Sequence, residues 1–270
     1  MKVVLFCGGM GLRLRDFSDS IPKPMVPIGY RPILWHLMKY YAHYGHKDFI
    51  LCLGHKADVI KEYFLNYNEA ASNDFVLRKG GHDIQLLSND ISDWTITFVD
   101  TGQNSNIGER LTKIKPYLEG EEMFLANYSD NVTDAPLPDM IEHLRSQPDK
   151  LASCISVRPC HTFHVWESDE RGEVRSVRPI TDADVFMNGG FFVFRKEFWN
   201  YINPGEEIVN EPFARLIAAK RLSTFKWNGF WACMDTFKEK MTLEDLHQKG
   251  KAPWMVWNGN GGKGTHARSA

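Results

Sequence analysis

No apolar run in this chain approaches the ~20 residues that cross a bilayer. The opening residues enter a strand-like run directly, without a signal-peptide layout. The expectation is a chain that neither spans a membrane nor carries a leader. Charge of one sign is also missing. Lysine and arginine total 32 against 34 aspartates and glutamates, a net charge of −2, so nothing marks a general binder of nucleic acid or anionic membranes. The five cysteines, Cys7, Cys52, Cys154, Cys160 and Cys233, contain no C-x-x-C pair. An odd count, with Cys7 and Cys52 inside apolar runs, reads as buried thiols in a reducing cytoplasm. Cys160 with His161-x-x-His164 is the nearest approach to a zinc set and gives that metal little support. Internal repeats are absent, and so is a linker that would divide two independent domains. What remains, 270 residues at 43% hydrophobic content, suffices for one large α/β core with a small appended subdomain.

Against these absences stands a glycine-rich opening. Val3-Val4-Leu5-Phe6-Cys7 is short, β-rich and bounded by glycine, so it reads as a buried strand. Gly8, Gly9 and Gly11 follow at once. With no Cβ in the way, backbone N–H groups at such a turn can close around a polyanion. Arg13, Arg15 and Lys23 add fixed positive charge, and Lys23 is held between Pro22 and Pro24, which restrict the backbone on either side. The stretch is built to hold a phosphate chain. It is neither of two common phosphate loops. Leu14 breaks G-x-G-x-x-G, and at Gly259 to Thr265 the residue after Lys263 is Gly264, which breaks G-x-x-x-x-G-K-[ST].

Downstream, strand-like and helix-like runs alternate. Ile33 to Tyr44 carries Leu34, Leu37, Met38 and Tyr41 at helical spacing and stops at Gly45. His36, His43 and His46 read as packing or surface residues. Asp48 to Leu53 predicts a strand and Ala57 to Leu65 a helix, an order that implies a parallel sheet with right-handed crossovers. Asn66 to Asp93 reads as an excursion with one or two short strands. Trp94 to Val99 and Met123 to Ala126 are further strands, with a helix from near Asn106 between them. From Leu151 the pattern changes. After a strand over Leu151 to Val157, Phe163 to Val177 alternates as antiparallel strands around Arg171-Gly172, and Phe186 to Phe194 is a strand interrupted by Asn188-Gly189-Gly190. Val209 to Lys220 is an amphipathic helix, and a last helix runs to about Lys249. The expectation is a single domain over residues 1–257, with halves at 1–150 and 151–257, and a disordered tail at 258–270.

Asp130 ends the run Asn127-Tyr128-Ser129-Asp130, and Asp235 comes from the distant Met234-Asp235-Thr236. An aspartate at such a place is most often a cap or turn residue, and Asp134 is read as the cap of the next helix. Two carboxylates converging beside a triphosphate can instead hold Mg²⁺, and open α/β sheets bind ligands at the carboxyl edge. These two aspartates are therefore the candidate metal ligands.

The opening resembles the signature of sugar-1-phosphate nucleotidyltransferases, G-G-x-G-[TS]-R-L followed by P-K-P-M. The strings P-K-P-M-V-P-I-G, P-I-L-W-H-L-M-K-Y-Y, V-D-T-G, N-G-G-F-F-V and G-F-W-A-C-M-D-T extend the likeness over nearly the whole chain. Within that family the chain is most similar to glucose-1-phosphate cytidylyltransferases. The resemblance implies a Rossmann-like nucleotidyltransferase fold, α/β, with a mostly parallel central sheet and a small antiparallel sugar-binding subdomain. It implies that Gly8, Gly9, Gly11 and Arg13 hold the nucleotide's phosphates and that Lys23 acts on them at the reacting centre. Arg13 and Lys23 are thus the expected catalytic residues. Thr101 and Gly108 would line the base site, Arg178, Asn188, Gly189 and Trp231 the sugar phosphate, and Asp130 and Asp235 would hold Mg²⁺. The reaction implied is attack by a sugar 1-phosphate oxygen on the α-phosphorus of an NTP, with CTP expected, releasing pyrophosphate by positioning and electrostatics. Expected partners are those two substrates and further copies of this chain in a homo-oligomer, in the cytoplasm, with no nucleic acid and no membrane.

Departures from the family pattern are confined. Leu12 replaces a hydroxyl residue, Y-G-D-G is Tyr128-Ser129-Asp130-Asn131, and E-K-P is Val177-Arg178-Pro179. The second puts side chains where backbone normally approaches the ligand; the third keeps a cation for phosphate and loses the carboxylate. His161 to Trp166 also lacks the family's small glycine-containing strand. The expectation is that glucose 1-phosphate is a poor acceptor. Three other readings stay open: a thymidylyl- or uridylyltransferase using another sugar or alcohol phosphate, a catalytically silent nucleotide-sugar-binding homologue, and a glycosyltransferase. Intact Lys23, Asp130 and Asp235 argue against the second, and the lack of a D-x-D element in the expected place against the third.

Overall fold

A computed structural model describes residues 1–9, 21–159 and 163–259. Gly11, Arg13 and Arg15 of the opening motif, Leu12, Cys160 and His161, and the tail from residue 260 lie outside the described residues.

The apolar opening run forms β1 (Val3–Phe6), every residue of it buried. Lys23–Met25 makes one tight turn, followed by the small hairpin β2 (Pro27–Ile28) and β3 (Arg31–Pro32). Helix α1 (Ile33–His43) starts after Pro32, and Gly45 at φ +86° turns the chain at its end, a conformation glycine adopts without strain. Then come β4 (Asp48–Leu53), α2 (Ala57–Leu65), the excursion hairpin β5 (Phe75–Arg78) with β6 (Asp83–Leu86), and β7 (Thr95–Asp100). Helix α3 (Ile107–Ile114) begins at a capping box in which Asn106 and Glu109 satisfy each other's backbone N–H groups; loss of such a cap costs roughly 1 kcal/mol. Next are β8 (Met123–Asn127), β9 (Asn131–Thr133), α4 (Leu137–Arg145) and β10 (Ala152–Val157). The antiparallel pair β11 (His164–Ser168) and β12 (Val174–Pro179) precedes β13 (Met187–Arg195). The chain closes with α5 (Glu211–Ala218), β14 (Leu222–Trp227), β15 (Trp231–Cys233) and α6 (Phe237–Gln248).

Among the described residues seven strands form the main sheet, in the order β14-β10-β13-β8-β1-β4-β7. The pairs β1–β4, β1–β8, β4–β7 and β10–β14 are parallel, whereas β13 is antiparallel to both of its neighbours. The mostly parallel α/β sheet expected from the alternating pattern is present. Its two faces carry separate cores, because successive side chains of a strand point to opposite sides. Val3 and Leu5 pack with Leu34, Leu37 and Met38 of α1 and Met140 of α4. Val4 and Phe6 pack with Leu111 and Ile114 of α3 and Phe213 of α5. Each such side chain, fully buried, contributes about 1.5–3 kcal/mol. A third, smaller core gathers Ile28, Ile33, Val132, Met234, Leu243 and Trp254 and ties the C-terminal segment to the opening turn.

Two local expectations change. β13 is not interrupted at Asn188-Gly189-Gly190; it runs through those residues as a bulge, with Asn188 opposite Ser156 and Phe192 opposite Cys154. Asp134 is not a helix cap. Its Oδ1 accepts from Trp227 Nε1 at 2.9 Å and Phe230 N–H at 2.8 Å, while α4 starts after Pro136 with no side-chain cap. Burial raises the Asp134 carboxyl above its ordinary value, and those two donors make the carboxylate more useful as a clamp on the β14–β15 turn than as a cap.

Candidate functional site

The carboxyl ends of β1, β4, β7, β8 and β10 share one edge of the sheet, and the antiparallel β13 brings its first residues to that same edge. Three of the expected residues meet there. β8 ends at Asn127, and the chain turns through Ser129 into β9, which pairs with β15 so that Asn131 faces Cys233. Met234 N–H donates to the Asp130 carbonyl at 2.8 Å. This short two-stranded ladder sets Asp130 beside Asp235. The backbone N–H groups of Asp235 and Thr236 both donate to Glu239 Oε2 at 2.8 Å, within the capping box of α6, so Asp235 is fixed from below. Lys23 enters from the proline-bounded turn, with Pro24 and Met25 buried beneath it.

Lys23 Nζ donates to Asp130 Oδ2 at 2.6 Å and also to Asp235 Oδ1. Burial alone would favour loss of its proton, but the two carboxylates outweigh that and raise its pKa above the ordinary lysine value. Lys23 therefore works as a fixed ammonium. The two aspartates, converging on one cation, offer the oxygen donors that Mg²⁺ takes while it keeps waters or phosphate oxygens in its other positions. Among the described residues no group of three or more His, Cys, Asp or Glu side chains forms a metal cage; the pair fits a metal completed by substrate oxygens.

Ser129 explains part of the departure from Y-G-D-G. It lies at φ +68°, the region that favours glycine. Its N–H donates to Asn127 Oδ1 at 2.7 Å, and its hydroxyl accepts from Cys7 Sγ at 3.4 Å. Asn131 bonds Asn127 at 3.1 Å. Both side chains are buried; Ser129 turns inward to Cys7, whereas Asn131 also sends Nδ2 to Asp130 Oδ1 at 3.3 Å and so reaches the carboxylate on the ligand face.

The sugar-side residues separate into two sets. Asn188 Oδ1 accepts from Gly190 N–H at 2.8 Å and Nδ2 donates to Tyr128 Oη at 3.1 Å. Trp231 Nε1 donates to the Gly189 carbonyl at 2.7 Å. A Cβ on Gly189 would lie 2.6 Å from Ile155 Cγ2, and one on Gly190, at φ +77°, 2.4 Å from Asn131 Nδ2. Asn188, Gly189 and Trp231 thus form one unit beside Tyr128 and Asp130. Arg178 stands apart, on the exposed β11–β12 pair, with no hydrogen bond to that unit. It donates to Glu167 Oε1 at 2.5 Å, so a carboxylate does accompany it, supplied by the facing strand instead of position 177.

Thr101 and Gly108 are both buried. The Thr101 hydroxyl donates to the Leu53 carbonyl at 2.7 Å, and a Cβ on Gly108 would fall 2.0 Å from the Glu206 carbonyl oxygen. Gly9 is exposed, with open space where a Cβ would stand. Gly8 is different: a Cβ there would lie 1.9 Å from Arg110 Nη1. Arg110 was not among the candidates, although Ile107, Arg110, Leu111 and Ile114 fall on one helical stripe and an arginine on an apolar stripe is a signal in itself. Glu239 was also missed, and the T-x-x-E box over Thr236 to Glu239 could have shown it.

A mostly parallel sheet with a lysine and two carboxylates gathered at its carboxyl edge is the architecture of an α/β nucleotide-handling protein. The family model described as "Nucleotidyl transferase" matches residues 2–232. The chain therefore belongs to the nucleotidyl transferase family. It is 38% identical over 259 residues to a glucose-1-phosphate cytidylyltransferase of Salmonella typhi, covering 95% of this chain and 100% of that one. The corresponding Salmonella typhimurium protein shows the same 38% identity and coverage. Among solved structures, UDP-glucose pyrophosphorylase complexed with UDP-glucose matches with a TM-score of 0.67 at 16% identity, over 92% of this chain and 98% of that one; this likeness concerns the fold. Among the described residues no helix is long and apolar enough to cross a membrane.

Proposed function

We propose that this chain joins CTP to a sugar 1-phosphate, giving a CDP-sugar and pyrophosphate. The observation that carries the reading is the convergence of Lys23, Asp130 and Asp235, from three distant segments, at the carboxyl edge of the sheet. The two Salmonella relatives, named for CTP and glucose 1-phosphate, support the choice of base.

An oxygen of the sugar phosphate forms a bond to the α-phosphorus of the NTP as the bond to the β-phosphate oxygen breaks, and the electron pair leaves with pyrophosphate. The attacking oxygen is already anionic, so no protein base is required. The chain must hold two polyanions together and offset the charge that moves onto the leaving group. Lys23 supplies a partly buried ammonium whose position two carboxylates define. Gly8 and Gly9 offer backbone at the end of β1, and Arg13, by family resemblance, adds a second cation. Asn188, braced by Gly190 and Tyr128, forms with Gly189 and Trp231 a wall for the sugar, and Arg178 with Glu167 forms an outer charged pair. Mg²⁺, held by Asp130 and Asp235 when bound, would supply charge neutralisation on the phosphates.

The test is pyrophosphate release from four NTPs against a panel of sugar 1-phosphates that includes glucose 1-phosphate. CTP should exceed the other three NTPs in kcat/KM by at least tenfold, about 1.4 kcal/mol of transition-state preference. Equal use of UTP or dTTP would refute the base assignment, and no release from any pair would favour a silent nucleotide-sugar-binding homologue.

A further inference from the structure

Asp134 follows β9 directly and lies outside the expected site, yet its carboxylate holds the turn that leads into β15. Oδ1 accepts from Phe230 N–H at 2.8 Å and from Trp227 Nε1 at 2.9 Å. The Asp134 N–H in turn donates to the Phe230 carbonyl at 3.3 Å, and Thr133 Oγ1 donates to that carbonyl at 2.7 Å. Two consecutive residues therefore hold both backbone groups of Phe230. The Trp227 ring folds back over the same turn: a Cβ on Gly229 would lie 2.3 Å from Trp227 Cζ2, a close approach that glycine alone permits. Phe230 stacks its own ring on Trp254 at 5.6 Å, which seats the turn on the third core.

The next residue is the one that matters for the site. Trp231 opens β15 opposite Thr133, and its Nε1 donates to the Gly189 carbonyl at 2.7 Å. The fit there is close, since a Cβ on Gly189 would come within 3.2 Å of that same nitrogen. The β9–β15 ladder has only three residue pairs, and a two-stranded pair is marginal on its own. A disturbance at Phe230 thus meets Trp231 first and arrives at Asp235 only at the far end of the ladder. Asp134 suits the task because hydrogen bonds to a charged acceptor are stronger than those to a neutral one. Among the described residues it forms no ion pair, so its charge serves those two donors. None of the bonds named here involves Gly8 or Gly9.

We propose that Asp134 is a positioning residue for the acceptor substrate: it fixes the Phe230 turn and, through it, the Trp231 indole against Gly189. The wall that faces the sugar phosphate keeps its shape by this means. This rests on the reading that Asn188, Gly189 and Trp231 receive the sugar phosphate. It also gives Thr133 a part, as the second hold on Phe230.

Steady-state kinetics on the unaltered protein, Asp134→Asn and Asp134→Ala test the idea, alongside thermal unfolding and equilibrium binding of CTP with Mg²⁺. The acceptor is the sugar 1-phosphate that the unaltered protein turns over best, with glucose 1-phosphate tried first. Asp134→Ala leaves two N–H groups without their acceptor and should raise KM for the sugar phosphate on the order of tenfold, with kcat nearly unchanged. Its affinity for CTP should match that of the unaltered protein. Asp134→Asn keeps an acceptor oxygen in place and should recover most of the lost KM. If Asp134→Ala does not fold, Thr133→Val, which removes the second hold on the Phe230 carbonyl, carries the same comparison. A purely structural clamp would lower the unfolding temperature and leave KM for the sugar phosphate unaltered, and that result overturns the proposal alone. Equal losses of CTP affinity and of acceptor KM overturn it as well, because the turn would then support the whole sheet edge. Unaltered protein that releases no pyrophosphate with any sugar 1-phosphate overturns both the proposal and the reading beneath it.

Discussion

Lys23 shows how much of this site depends on one side chain held by its surroundings. Pro22 and Pro24 fix its backbone, and Asp130 and Asp235 hold its ammonium. If that charge faces the phosphates in the transition state, Lys23→Ala should lower kcat by on the order of 10², the effect of losing one preorganised electrostatic contact. Near-normal turnover would remove Lys23 from the mechanism. Ser129 and Gly190 form a contrasting pair, each at positive φ. A non-glycine residue in the left-handed region costs roughly 1–2 kcal/mol, while glycine adds about 0.5–1 kcal/mol of unfolded-state freedom, so Ser129→Gly should change stability little or raise it slightly. Gly190→Ala puts a methyl 2.4 Å from Asn131 Nδ2 in addition to the φ conflict, and should destabilise by about 2 kcal/mol or more. Denaturant titration of both variants decides. A large loss from Ser129→Gly would mean that the Cys7 and Asn127 contacts, not the backbone, govern that turn.

At the scale of elements, the main strands and helices were legible because apolar runs ended in glycine and helical spacing was regular. Ile33 to Tyr44 reads directly as α1, with its apolar positions buried. What the sequence could not show was the β9–β15 ladder, since two three-residue strands so distant in the chain carry no periodic signal. The candidate aspartates follow from their places at a strand end and before a helix, and their meeting depends on that ladder. Gly108 and Thr101 illustrate the reverse case. Both lie where resemblance implies a base site, and their side-chain positions are occupied by packing against Glu206 and by bonding to Arg110. The β11–β12 pair carries Val177-Arg178-Pro179 where the resemblance implies E-K-P. Val165 faces Arg178 and Trp166 faces Val177 across it, and Glu167 restores a carboxylate near Arg178. Exposed ion pairs contribute little to stability, so this one is better assigned to the acceptor. Arg178→Ala should raise KM for the sugar phosphate and leave KM for CTP unchanged. Val177→Glu with Arg178→Lys should raise kcat/KM for glucose 1-phosphate. If the unaltered protein already uses glucose 1-phosphate at ~10⁴ M⁻¹s⁻¹ or better, within the ordinary enzyme range, this pair of strands does not set the acceptor.

At the scale of the whole molecule, one contact joins α1 to the C-terminal segment. Trp254 packs fully buried in the third core, and its indole N–H donates to His36 Nδ1 of α1 at 3.4 Å. His36 Nε2 lies 3.0 Å from the Ile28 carbonyl, which can only accept, so the single ring proton belongs on Nε2. Adding a second proton would set N–H against N–H at Trp254. Burial is the main reason that the His36 pKa falls to about 4, with His247 and Arg31 acting in the same direction and the Ile28 carbonyl and Glu244 opposing them. The sign follows from proton binding. Between the ordinary histidine value of 6.5 and about 4 the unfolded chain holds the extra proton and the folded chain does not, so stability rises with pH across that window. The contribution is fully present above pH 6.5 and is lost as pH falls towards 4. At pH 5 the loss should be about 2 kcal/mol, from 1.36 kcal/mol per unit of separation over the part of the window already crossed. His46, whose pKa is also lowered by burial, adds to the trend, so the comparison needs a variant. His36→Gln can still donate to the Ile28 carbonyl and accept from Trp254, but it does not titrate. Urea titrations at pH 7.5 and 5.0 should show the unaltered protein losing about 2 kcal/mol more than His36→Gln over that interval. Parallel losses in the two proteins would show that His36 is not the group through which acid loosens the joint between α1 and the C-terminal segment.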